Sequence, residues 1–154
     1  MSSKRETILE YIKTYLKTEI TTVNGYNFTL HDVYRTFKHW DQQREFPILC
    51  VLDGDEDIKH DANEQLERTM YVEIIGYVII DDREEDNLSA GTEVNKLLED
   101  TMNALYKNWE SVMVNSNCRY IKFVRVNTDL GMIHPKGAFA LTCEIKYIHE
   151  LGHA

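Results

Sequence analysis

Gly137-Ala138-Phe139-Ala140-Leu141-Thr142-Cys143-Glu144-Ile145-Lys146-Tyr147 alternates without a break. Phe139, Leu141, Cys143, Ile145 and Tyr147 share one face of an extended chain, while Ala138, Ala140, Thr142, Glu144 and Lys146 share the other. That pattern, continued through Glu150, is a strand with one face on a core. Upstream, Thr69–Ile80 is apolar on both faces and is expected at the centre of the same sheet. Gly76 inside it predicts a bulge or a close approach by another backbone.

Pro47–Leu52 is a nearly continuous apolar strand that begins with proline, at a position where no ladder N–H is required. Val33–Trp40 is a weaker strand pattern, and the two predict a hairpin with Asp41–Glu45 as its polar turn. Cys118–Val126 adds a fifth strand, bounded by expected loops at Ser111–Asn117 and Asn127–Lys136. Two amphipathic helices complete the plan. Ser3-x-x-Glu6 forms a capping box ahead of Ile8, Tyr11, Ile12, Tyr15 and Leu16, which recur at helical spacing toward Glu19. Val94, Leu97, Leu98, Thr101, Leu105 and Trp109, with Met102 and Tyr106 beside them, make the stripe of the second helix. The acidic run Asp81–Asp86 precedes that helix, where negative charge suits the helix N-terminus. The expected fold is α+β: one domain over residues 1–154, with a mixed, mainly antiparallel sheet of about five strands flanked by two helices, in the order α-β-β-β-α-β-β.

The formal charge of −9 and a pI near 5.1 argue against a protein that wraps duplex DNA, which needs a basic face. They are compatible with a wall past which DNA slides without sticking. Cys50, Cys118 and Cys143 are odd in number and widely spaced, and are expected as reduced thiols in a cytosolic product. The N-terminus has no signal-peptide pattern, and the longest apolar run, around Ile74–Ile80, is too short to span a bilayer.

Asp53–Glu67 carries Asp53, Asp55, Glu56, Asp57, Asp61, Glu64 and Glu67 against Lys59 alone. It is expected as an acidic loop that is solvated, balanced by a partner, or metal-bound. Counted from Asp53, acids occupy positions 1, 3, 5, 9 and 12 of a calcium loop, but Ile58 stands where that loop needs glycine. Asp129 with Glu144-x-Lys146 fits the acid plus Glu-x-Lys pattern of magnesium nucleases, but the motif is short and the chain acidic, and a solvent-facing charge pair across one pleat is the favoured reading. The six histidines show no ligand spacing, and no local signature marks a Ser or Cys nucleophile.

The order of elements resembles the tail terminator (tail completion) proteins of long-tailed bacteriophages. The resemblance is carried by the N-terminal helix, Phe46-Pro47-Ile48-Leu49-Cys50-Val51-Leu52-Asp53-Gly54-Asp55-Glu56, and Met70-Tyr71-Val72-Glu73-Ile74-Ile75-Gly76-Tyr77. The helix of Val94, Leu97 and Leu98, the loop Asp129-Leu130-Gly131-Met132 and the closing strand complete it. It implies a structural virion protein without catalytic residues, metal or cofactor. Such a protein forms a homohexameric ring on the last ring of the tail tube, stops its polymerisation and docks to the head–tail connector in the neck. DNA passes through the lumen without specific binding, no membrane is involved, and the ring is assembled in the host cytoplasm. Six copies at −9 would carry about −54. The expected axial or lumen contacts are Asp53, Asp55, Glu56, Asp57, Asp61, Glu64, Asp81, Asp82, Asp129, Met132 and His134. The alternatives are another neck or head-completion protein, an acidic nucleic-acid mimic, and a metal-dependent nuclease.

Overall fold

The computed structural model describes residues 3–61, 64–80, 89–107, 118–129 and 136–151. Helix α1 spans Lys4–Glu19, β1 Asp32–Tyr34, β2 Ile48–His60, β3 Gln65–Ile79, α2 Ser89–Lys107, β4 Cys118–Asp129 and β5 Lys136–Glu150. The strands form one sheet in the order β1-β2-β3-β5-β4. Only β1 and β2 run parallel; every other neighbouring pair is antiparallel.

One half of the expected capping box starts α1: Ser3 Oγ accepts the Glu6 N–H at 3.0 Å, while the Glu6 carboxylate accepts from Arg35. Ile8, Leu9, Ile12 and Leu16 are buried along one face, and Tyr11 and Tyr15 pack beside them. In α2, Val94, Leu97, Thr101, Ala104 and Leu105 are buried; Trp109 of the expected stripe lies outside the described residues. Both helices pack on the same side of the sheet, α1 over β1 and β2, α2 over β3 and β5. Leu49 and Val51 of β2, Met70, Val72 and Ile74 of β3, and Leu141, Cys143, Ile145 and Tyr147 of β5 form the sheet's half of that core. The burial of β5 alternates along its whole apolar length, as its sequence predicts.

The centre of the sheet is β3, hydrogen-bonded on both edges. At Gly76 the close approach comes from a side chain, not a backbone. A Cβ there would stand 2.3 Å from the Phe139 ring, and the register runs through Gly76 without a bulge.

Three further expectations are corrected. The segment after Tyr34 is not a strand, and no hairpin joins it to β2. Residues 35–47 instead carry Trp40 and Phe46 against Ile48, Cys50 and Tyr77 on the helix-free face, and the chain returns into β2 parallel to β1. Burying those rings on the far side of the sheet requires the longer connection that parallel strands also require. Second, Asp53–Glu67 is not a loop. It is the outer part of a β2–β3 hairpin, paired down to His60↔Leu66. A ladder is satisfied by backbone groups, so polar side chains do not prevent it. Third, Asn127–Asp129 belong to β4 and Lys136 opens β5; residues 130–135 lie outside the described residues.

Candidate functional site

The acidic stretch is divided by the pleat and by a bulge between Asp53 and Glu56. Asp53 and Glu56 turn toward the helices and meet three arginines. Arg5 of α1 donates to Glu56 Oε2 at 2.9 Å and to the Gly54 carbonyl at 2.7 Å, and pairs with Asp53 at 3.3 Å. Arg68 of β3 donates to the same Glu56 oxygen at 2.6 Å. Arg35 donates to the Val51 carbonyl at 2.9 Å and to Glu6 at 3.0 Å, and stands 3.6 Å from Asp53. The Glu56 side chain is only 7% exposed. Burial works to raise its pKa, but Tyr147, Arg68 and Arg5 outweigh burial and hold it below the ordinary carboxylate value. Asp53 is lowered as well: burial opposes the shift, while its own backbone N–H, Arg35 and Arg5 drive it. The Tyr147 hydroxyl and Glu56 Oε1 lie in this cluster without an aligned hydrogen-bond partner. Of the expected contact residues, Glu56 is thus an internal anchor, while Asp53, its side chain 46% exposed, pairs with Arg5 and Arg35 at the margin of the cluster.

A sequence signal for this cluster existed. Arg5 continues the apolar stripe of Leu9, Ile12 and Leu16 at helical spacing, and a cation on such a stripe needs a buried partner. Asp100 was missed for a similar reason. It stands among buried α2 residues, 2% exposed. Its Oδ1 accepts the Asn27 N–H and side-chain amide at 3.1 and 2.8 Å, and its Oδ2 accepts the Phe28 N–H at 3.0 Å.

The remaining acids stay at the surface. Asp55 sits exposed at the bulge, and Asp57 accepts from the Tyr71 hydroxyl at 3.3 Å on the helix-free face. Asp61 and Glu64 flank the hairpin tip, where Glu64 takes a φ of +60° and its carbonyl accepts the Leu151 N–H at 2.9 Å. The strands β2, β3 and β5 extend together past the start of β4, which begins opposite Tyr147. They form a three-stranded arm tipped by acids.

Asp129 is at the other end of the sheet. It pairs in register with Ala138, whereas Thr69, the partner of Asp57, pairs with Lys146. Eight residues of β5 separate those levels, about 26 Å at roughly 3.3 Å per residue. Asp129 instead lines a shallow groove of about 350 Å³ with Trp40, Ile75, Tyr77, Ala138 and Ala140. Lys136 Nζ stands 5.3 Å from the Trp40 ring centroid and 5.0 Å from that of Phe46. Asp81, Asp82, Met132 and His134 lie outside the described residues.

The nuclease pattern does not assemble. Asp129 is seven β4 residues from Lys122, the register partner of Glu144. Lys146 is ion-paired to Glu67 and stands over the Tyr120 ring. Among the described residues no group of three or more His, Cys, Asp and Glu side chains is placed to hold a metal. All three cysteines are buried free thiols, and burial pushes the Cys118 and Cys143 thiols up to about 12. No described helix is long and apolar enough to cross a membrane.

A model of the family described as Bacteriophage Tail Tube Terminator Protein matches residues 2–152. No curated protein matches the chain.

Proposed function

The chain belongs to the bacteriophage tail tube terminator family, and from that premise we propose that it closes into a hexameric ring on the last ring of the tail tube. One face of the ring takes the docking surface of a tube subunit. The opposite face accepts no further tube ring and is left for the head connector, and DNA passes through the lumen. Termination is then a substitution of interfaces and needs no chemistry. The observation that carries this reading is the family match over nearly the whole chain.

The molecule's shape and charge support it. A ring of copies at −9 each presents a field that repels the phosphate backbone if the acids face the lumen. The arm tip with Asp61 and Glu64 is assigned to an axial contact, and Met132 and His134, outside the described residues, are assigned to a second one. Asp81 and Asp82, ahead of α2, remain candidates for the lumen or a neighbouring subunit.

The test is tail length in the parent phage with this gene disrupted. Overlong, headless tubes seen by electron microscopy establish termination. Tails of normal length that fail to join heads move the protein to another neck position, and intact particles remove it from head–tail assembly.

A further inference from the structure

The sheet ends in two edges of opposite character. On one side β4 is the outermost strand, with no further partner strand among the described residues. It exposes Arg119, Lys122 and Arg125, and with them Val124 at 54% and Val126 at 39% exposure. Arg119 and Arg125 form no ion pair among the described residues. On the other side β1 covers β2 only from Ile48 to Cys50. Arg35 and Arg5 take the Val51 and Gly54 carbonyls, and from Asp55 through His60 this edge of β2 meets no further strand among the described residues. It exposes Asp55, Asp57 and Ile58, the last at 53%, before Lys59 near the tip. A long strand edge with exposed aliphatics is a template for another strand.

We infer that the basic β4 edge of one copy docks on the acidic free edge of β2 in the next copy, joining the sheets head to tail. This rests on the ring of the proposed function and adds which edges close it. The directions fit: β2 and β5 run one way, β3 and β4 the other, so a sheet continued by rotation sets β4 antiparallel to the neighbouring β2. The charges fit, with Arg119, Lys122 and Arg125 meeting Asp55 and Asp57. Each edge also carries a bulge, at Asp53/Glu56 in β2 and at Phe123/Arg125 in β4. Bulges bend and twist a strand, and sheets joined into a ring must curve. Such a contact is heterologous, uses two different surfaces of each copy, and closes by rotation.

Charge reversal tests it on the full-length protein. One variant carries Arg119→Glu and Arg125→Glu, the other Asp55→Lys and Asp57→Lys; all four side chains belong to partly or fully exposed surface residues, and circular dichroism checks that both variants fold. Sedimentation follows association over rising concentration. The unchanged chain is expected to associate, and each variant alone to associate about tenfold or more weakly, because like charges face one another across the contact. An equimolar mixture of the two variants should recover association, since every contact then pairs opposite charges. Association that is unchanged in both variants overturns the inference, as does a mixture that fails to recover. So does an unchanged chain that stays monomeric at every concentration. None of these touches the terminator reading, which stands or falls on tail length in the disrupted phage.

Discussion

Glu56 shows how a single residue's role depends on what lies behind it. Facing solvent it would be one more acid on the surface; in the fold it is the counter-charge for both Arg5 and Arg68. Glu56→Ala leaves those two cations without their acceptor. The expected loss is about 2–3 kcal/mol of unfolding free energy in urea, somewhat less than for a fully buried pair because both arginines keep partial access to water. The same cluster sets a pH dependence. The carboxyls of Asp53 and Glu56 bind protons less readily in the folded state than when unfolded. They therefore contribute stability that is complete above the unfolded carboxyl value, about 4, and is lost as pH falls through the lower folded values. Urea midpoints should stay level from about pH 7 to about 5 and drop below about 4, and Glu56→Gln should make that drop shallower. At Gly76 the constraint is space. A methyl group there forces the Phe139 ring out of the core, and Gly76→Ala is expected to cost about 1–3 kcal/mol, read as a lowered melting temperature.

Among the elements, α2 is tied to the rest of the molecule by more than its apolar stripe. Asp100 anchors the 27–28 backbone, and the Ala104 carbonyl accepts the Tyr15 hydroxyl of α1 at 2.6 Å. Asp100→Ala leaves several donors unsatisfied. It should destabilise by about 2–3 kcal/mol and speed amide exchange at Asn27 and Phe28 before it does so in β3. The helices were legible as sequence because each carries its own periodic stripe and, for α1, its own cap. The strands β3 and β5 were legible because burial on two faces or one writes itself as a run or an alternation. That the Val33 segment lies beside β2 was legible, but its length and direction were not. Val33–Trp40 has the composition of a strand, but Trp40 and Phe46 are drawn to a small apolar cluster on the opposite face, and only tertiary packing reveals that cluster.

At the scale of the whole molecule, the acidic charge is distributed rather than concentrated in one loop. Part is absorbed by Arg5, Arg35 and Arg68, part lies on the open face beside Tyr71 and Lys146, and part tips the arm. The arm tip is therefore the place to separate assembly from stability. Asp61→Arg with Glu64→Arg should leave the melting temperature nearly unchanged, since both residues are exposed. The double variant should nevertheless fail to restore normal tail length when supplied to a phage lacking the gene; normal tails would remove the tip from the axial contact.

Period and order along the chain determined two helices, the central and closing strands, and a likeness to tail terminators that the family match bears out. These are local or cumulative properties, written residue by residue. Tertiary structure alone decided that β1 runs parallel to β2, that the acidic stretch is a hairpin, and that Asp53 and Glu56 meet the arginines on the helix side while Asp55 does not. The physical reason is common to all three. A carboxylate, a ring or a strand edge has no role until something far along the chain is brought against it, and the separations from Arg5 to Glu56 and from Trp40 to Lys136 are spanned only by folding.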